Sequence, residues 1–299
     1  MDELRLGMIG LDTSHCPAFA KLLQEEQNPY HVPGGRVVAA FPGGSQDLKV
    51  SYSRVEKFTA QMGDEFGVDI KDSIEAVVED VDAVLLESVD GRQHLEQFRK
   101  IAPFGKPVFI DKPLAVDPAE AKEFIALSKE HDAPFFSCSS LRFAKGIIEL
   151  GEGQDVKACD AFGPASILPD FPGLFWYGIH SAEMIFAKLG PGCKEVTVHK
   201  SDLADVVTGV WEDGRVGVLF GHRIEKGPGF GAAVFYTGGA DQGLAQDEPP
   251  GYALLLEQAI PFFRTRKPPI DPQETLEIIA FLAAANESRE TGQPVALAV

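Results

Sequence analysis

The sequence predicts an α/β protein: a doubly wound parallel sheet followed by an α+β domain with an open, mainly antiparallel sheet. Three observations lead there. The first ~140 residues alternate short apolar runs with amphipathic segments, as in a parallel sheet covered on both faces. The opening run and the helix after it are joined by a short turn at a glycine. Beyond Ser139 several strand-like runs follow one another without intervening helices, which is how antiparallel sheets are connected. A length of 299 residues suits two cores, and the boundary is expected at 139/140, giving domains 1–139 and 140–299.

In the first half the strands are expected at Leu4–Leu11, Arg36–Phe41, Val68–Ile70, Val81–Ser88, Pro107–Ile110 and Pro134–Cys138. Helices are expected at about 14–27, 51–65, 72–79, 92–103 and 118–131. Pro17 suits a first helical turn, with Asp12, Thr13 or Ser14 as cap, and Asp117-Pro118 is a cap followed by a proline at the first helical position. In the second half a helix near Phe143–Leu150 precedes a Gly/Pro-punctuated stretch, Gly163–Gly173. A helix at Ile179–Leu189 is stopped by Gly190-Pro191-Gly192. Strands are expected at Glu195–His199, Val206–Trp211, Arg215–Arg223 and Gly231–Thr237, with Glu212-Asp213-Gly214 as a hairpin turn. Gly238–Pro250 reads as a loop, and helices at Tyr252–Thr265 and Pro272–Thr291, separated by Lys267-Pro268-Pro269, close the chain.

A formal charge of −18 argues against nucleic-acid and membrane-surface partners, and no apolar run is long enough to span a bilayer. Met1-Asp2-Glu3 leads straight into a strand, so no signal peptide is expected. The four cysteines (Cys16, Cys138, Cys159, Cys193) lack metal-ligand spacing and suit reduced, buried thiols. The expected location is cytoplasmic. Cys16, near a helix N-terminus, is the one candidate for an activated thiol.

The glycine turn is altered. A Gly-x-Gly-x-x-Gly turn would place glycine at 10, 12 and 15, but the chain has Gly10, Asp12 and His15. A carboxylate beside a diphosphate is repulsive. A helix N-terminus formed by Thr13, Ser14 and His15 can still hold phosphate if Asp12 turns away to cap the helix. After the second strand Phe41-Pro42-Gly43-Gly44-Ser45-Gln46-Asp47 replaces the acidic residue expected for ribose hydroxyls. Ser45 and Arg54 are candidates to meet a 2′-phosphate.

Three further groups sit where chemistry is expected. Asp111-Lys112-Pro113 follows the strand Pro107–Ile110, so Lys112 leaves the carboxyl end of a strand, where open α/β sheets bind ligands. A cis bond at Pro113 would turn that lysine inward, where it can donate a proton or hold a substrate oxygen. His180 begins a helix shortly after Phe175, Trp176 and Tyr177, and Glu183 lies one turn on, to orient the imidazole or to form its own ion pair. His94, after Ser88-Val89-Asp90, is a cleft-side residue or a packing histidine.

Together and in this order, these segments resemble the glucose–fructose oxidoreductase/inositol dehydrogenase (Gfo/Idh/MocA) family. The resemblance runs through the opening strand–turn–helix, Ser88-Val89-Asp90…His94 and Gly105-Lys106-Pro107-Val108-Phe109-Ile110-Asp111-Lys112-Pro113-Leu114-Ala115. It continues through Arg142-Phe143, Gly178-Ile179-His180 with an acid at 183, and Glu287–Val295. It implies an NAD- or NADP-dependent oxidoreductase for a sugar, polyol or related hydroxy compound, with the active cleft between the domains. Lys112 would orient substrate and His180 exchange the hydroxyl proton, with Glu183 as a third catalytic residue. Gly10, Asp12, Thr13, Ser14, His15, Gly43, Gly44, Ser45, Ser88, His94, Asp111 and Pro113 would line the cofactor, and Arg142, Trp176 and Tyr177 the substrate. Trp176 stands where many members place an aspartate. No metal is implied. An exposed sheet face in the second domain would be covered in a homodimer or homotetramer. Two other readings fit the same residues: a non-redox lyase, isomerase or hydrolase on a carbohydrate, and a non-catalytic ligand-binding regulator.

Overall fold

The computed structural model describes residues 2–299. The chain forms two compact units. One comprises the chain up to Ala115 together with Ala119–Cys138 and Tyr252–Pro272; the other comprises Val116–Pro118, Ser139–Gly251 and Gln273–Val299. The second boundary differs from the expected single division at 139/140. The helix that begins near residue 252 returns to the first unit because its apolar side chains have partners there: the Phe262 and Phe136 rings lie 5.0 Å apart, edge to face.

In the first unit, β1 (Leu4–Ile9), α1 (His15–Gln24), β2 (Gly35–Phe41), α2 (Lys49–Tyr52), α3 (Val55–Phe66) and β3 (Asp69–Ile70) come first. Then follow α4 (Ile74–Val78), β4 (Ala83–Leu86), α5 (His94–Ile101), β5 (Val108–Ile110), α6 (Pro118–Glu130) and β6 (Phe135–Ser137). Six parallel strands run in the order β3-β2-β1-β4-β5-β6, so the winding direction reverses between β1 and β4. In such sheets that reversal opens the ligand crevice at the carboxyl ends. Both faces are covered, which is why these strands are apolar without alternation. Phe135 faces Phe98 and Phe124 on one side. Its neighbour Phe136 turns to Phe109 and Phe262 on the other. The expected helix at 51–65 is broken between Tyr52 and Val55.

The second unit holds β7 (Val156–Pro164), α7 (Gly178–Leu189), β8 (Cys193–Lys200), β9 (Ala204–Trp211), β10 (Val216–His222), β11 (Gly231–Tyr236) and β12 (Gly239–Leu244). α8 (Gly251–Thr265) belongs to the first unit from Tyr252 onward, and α9 (Pro272–Thr291) and β13 (Val295–Ala296) complete the chain. The sheet order is β12-β11-β7-β10-β9-β8-β13, antiparallel except for the β7–β10 pair. One face is covered: Phe186 of α7 packs against Trp211 and against Phe281 of α9. Phe220 and Phe235 on the other face are 37% and 41% exposed.

Three expectations fail here. No helix forms over Phe143–Leu150; a 3-10 turn at Ser140–Phe143 and further turns replace it. Gly146 has φ +83°, and a Cβ there would lie 2.3 Å from the Leu244 carbonyl oxygen, so another backbone occupies the space. Residues 239–244, expected as loop, pair with β11 through a tight hairpin. β7 is a central strand although its buried positions hold only Cys159, Ala161 and Gly163, too small for an apolar alternation to stand out. Among the described residues no helix is long and apolar enough to cross a membrane.

Candidate functional site

The turn after β1 is built on Gly10. Its φ is +87°, and a Cβ would fall 2.5 Å from the Ser88 nitrogen, so only glycine lets β1 and β4 lie this close at their ends. Asp12 does turn away from the turn's outer surface, but not to cap α1. It is fully buried and accepts hydrogen bonds from Ser51 Oγ (2.6 Å) and from the Val89 backbone N–H (3.0 Å). Burial pushes its carboxyl above the ordinary range, and those two donors pull it back in part. Ser14, at the N-cap position of α1, is exposed and makes no side-chain cap. Thr13 is buried, with Oγ1 3.4 Å from the His15 N–H. Cys16 Sγ donates to the Gly10 carbonyl (3.2 Å) and is fully buried. Burial, with the Glu87 carboxylate next, pushes the thiol well above its usual range, so the activated-thiol reading fails.

His15 reaches inward instead. Its Nδ1 stands 2.9 Å from Asp111 Oδ2 and 3.9 Å from Glu87 Oε2. Its ring packs against Phe19 and Tyr252, with centroids at 5.9 and 4.8 Å. Burial and then the neighbouring Asp111 carboxylate raise Glu87 well above the usual carboxylate range. Burial also penalises charge on Asp111, but the His15 and Lys112 charges outweigh it and hold that carboxyl low. Lys112 is buried at the end of β5, and the Lys112–Pro113 peptide is cis.

His94 and Ser45 are both buried and hydrogen-bonded within the protein. Both His94 ring nitrogens lie against carbonyl oxygens, Nε2 at 2.6 Å from Ser88 and Nδ1 at 3.2 Å from Leu114, and the ring is fully buried. His94 is a packing histidine that ties the end of β4 to the segment after β5. Ser45 Oγ donates to Asp90 (2.7 Å), which also receives a two-pronged pair from Arg92, so a 2′-phosphate would find that hydroxyl buried and engaged. Arg54 stands half-buried at the start of α3. Ser88 Oγ is buried and has no hydrogen-bond partner.

Beside the end of β2 lies a cavity of about 430 Å³ lined by Phe41, Gly43, Gly44, Arg92, Gln93 and Gln97 among others. The Oε1 atoms of Gln93 and Gln97 are buried and unpartnered. A Cβ on Gly43 would come 3.3 Å from the Gly10 Cα, so both glycines keep the mouth of the crevice narrow and backbone-lined. Glu96 and Lys100 also line the cavity, so it offers polar groups of both charges beside the two unsatisfied amide acceptors.

In the second unit His180 lies in the first turn of α7. Its Nδ1 is 2.7 Å from Ser139 Oγ, and its ring meets Tyr177 and Phe230 edge to face at 5.5 and 5.2 Å. Ser139, which also caps a 3-10 turn by accepting from the Leu141 N–H, anchors the imidazole. Glu183 does not. Its carboxylate accepts from Arg142 (2.7 Å), and Arg142 also bonds Glu274 (2.5 Å). Of the two readings of Glu183, the ion pair is the one observed, and Arg142 is engaged in it rather than turned to a ligand. Burial pushes Glu183 up to about 7 even with Arg142 opposing. Trp176 packs against Phe171 and Tyr177, and Tyr177 is exposed.

The sequence reading missed Glu87, Gln93, Gln97 and Ser139. Glu87 carried a signal: an acid immediately after the apolar run Ala83–Leu86, at a strand's carboxyl end. The others are ordinary polar residues whose surroundings are made by distant chain.

Comparison with known proteins agrees with the first unit's architecture. Residues 4–138 match the sequence model of an oxidoreductase family with an NAD-binding Rossmann fold, GFO_IDH_MocA. Among curated proteins none matches. Solved structures do. Myo-inositol dehydrogenase from Lactobacillus casei, in complex with NAD(H) and myo-inositol, is 16% identical with a TM-score of 0.80, over 100% of this chain and 98% of that one. Apo scyllo-inositol dehydrogenase from the same organism is 18% identical with a TM-score of 0.76, over 100% and 99%. A "probable dehydrogenase" from Thermotoga maritima is 20% identical with a TM-score of 0.77, over 98% and 99%. At these identities the likeness is one of fold.

Proposed function

We propose that this chain, whose residues 4–138 match the oxidoreductase family GFO_IDH_MocA with its NAD-binding Rossmann fold, is a nicotinamide-dependent oxidoreductase acting on a sugar, a polyol or a related hydroxy compound. The observation that carries this reading is the cavity beside β2, with its glycine floor and the unsatisfied Gln93 and Gln97 oxygens, at the carboxyl edge of a sheet that reverses between β1 and β4. The complex of the Lactobacillus casei enzyme with NAD(H) and myo-inositol supports it.

Bound NAD or NADP would supply the hydride acceptor. The chain's own residues do the rest. Gly10 and Gly43 let the turn pack closely against Ser88 and against each other, and Asp12, turned inward, leaves the turn without a carboxylate facing a diphosphate. Lys112 holds the substrate oxygen. His180, with Nδ1 held by Ser139, exchanges the substrate hydroxyl proton through its ring. Trp176 and Tyr177 offer flat apolar surface to the carbon face of a ring substrate. A second copy of the chain covers the sheet face that carries Phe220 and Phe235.

Calorimetric titration of NAD+ and NADP+ into the protein tests the reading: one of them binds, and Lys112→Ala lowers turnover about 100-fold or more while cofactor affinity stays within a few fold. Failure of both nucleotides to bind overturns it.

A further inference from the structure

Three adjacent strands of the first sheet end on groups that can ligate a cation. β1 leads through its turn to His15, and Glu87 and Asp111 are the first residues beyond β4 and β5. Leu86 is in register with Ile9 on one side and Ile110 on the other. The Glu87 N–H donates to the Ile9 carbonyl (2.7 Å) and the Asp111 N–H to that of Leu86 (2.8 Å), so the two acids leave the sheet side by side. One ligand atom from each of His15, Glu87 and Asp111 lies within 4.8 Å of the other two.

A second observation is independent of that clustering. Glu87 is fully buried, and neither of its carboxylate oxygens has a hydrogen-bond partner. Buried acids are ordinarily hydrogen-bonded, paired or bound to a metal. His15 Nδ1 and Asp111 Oδ2 stand 2.9 Å apart, an ion pair when the imidazole is protonated, while Glu87 is left outside it with its nearest oxygen 3.9 Å from Nδ1. The neighbouring acids differ. Asp12 has Ser51 and Val89, and Asp90 has Ser45 and Arg92. Glu87 stands apart from them in having both carboxylate oxygens buried without a hydrogen bond.

We propose that His15, Glu87 and Asp111 bind one divalent first-row transition cation. One imidazole nitrogen with two carboxylate oxygens is a donor set for Zn2+ or Mn2+ and too small for Ca2+, which takes six to eight oxygens. A double positive charge would compensate both acids at the strand ends. Packing of the His15 ring against Phe19 and Tyr252 fixes the direction of Nδ1, as supporting contacts do for metal-bound histidines. Three protein ligands leave a coordination position open to water or to a ligand in the crevice. The His15 side chain, 14% exposed, marks the approach.

The test uses the cation alone, without nucleotide, so its outcome is separate from that of the dinucleotide reading. Chelator-stripped protein is titrated calorimetrically with ZnCl2 and with MnCl2, and its melting temperature is followed with and without each salt. One equivalent of at least one cation binds and raises the melting temperature. Glu87→Gln, which keeps the shape of the side chain, weakens that binding by about tenfold or more and abolishes the rise; His15→Gln does the same. Absence of saturable binding by both cations, or affinity unchanged in both variants, overturns the proposal.

Discussion

Glu87 and Glu183 are both buried glutamates, one at the edge of the first sheet and one on α7, and their surroundings are opposite. Glu183 has a guanidinium in contact: Arg142 reaches it at 2.7 Å and extends to Glu274 as well. Glu87 has a histidine nitrogen at 3.9 Å and no hydrogen bond. Burial raises both carboxyls, so the difference lies in the partners. A protein can hold a buried acid by supplying the opposite charge from its own chain, as around α7. It can also leave the acid unsatisfied where something else completes it, as at the ends of β4 and β5.

The sharpest way to break this contrast is Arg142→Met. It removes the cation between Glu183 and Glu274 and makes the α7 site resemble the Glu87 site with nothing bound. Loss of one partner from a buried pair costs about 3–5 kcal/mol, expected as a fall in unfolding free energy by urea denaturation.

Next comes pH. The folded-state value of Glu183, about 7, stands above the ordinary 4.5, so the folded protein binds this proton more tightly than the unfolded chain. The resulting stability is complete below about pH 4.5 and is lost as pH rises through about 7, by roughly 3 kcal/mol in all. Urea midpoints at pH 5 and pH 8 should show this loss in the wild type and a flatter profile in Glu183→Gln.

The smallest effect concerns Asp12, the partnered acid closest in kind to Glu87. Asp12→Ala strands the Ser51 hydroxyl and the Val89 N–H and costs about 2 kcal/mol. Because its carboxylate already faces inward, the substitution should not tighten calorimetrically measured nicotinamide binding. A tighter complex would show that Asp12 does confront the diphosphate.

The sequence carried much of the first unit. Its strands are buried on both sides and therefore apolar throughout, and its glycine turn and Lys-Pro segment are local patterns. β7 escaped because its inward positions are small, and β12 because an exposed edge strand needs no apolar residues. The return of α8 to the first unit has no local mark. It rests on contacts such as Phe262 with Phe136, more than a hundred residues apart.

The site divides along the same line. Which residue types stand at the ends of β1, β4 and β5 and at the start of α7 is local information, and from it Lys112, His180 and Asp111 could be named. Which way each side chain turns is not. Asp12 faces Ser51 and Val89, His94 two carbonyls, Glu183 an arginine 41 residues away, and Glu87 no donor at all. A polar group's partner depends on distances of a few ångströms between segments far apart in sequence, and these exist only once the strands are in register and the helices are packed.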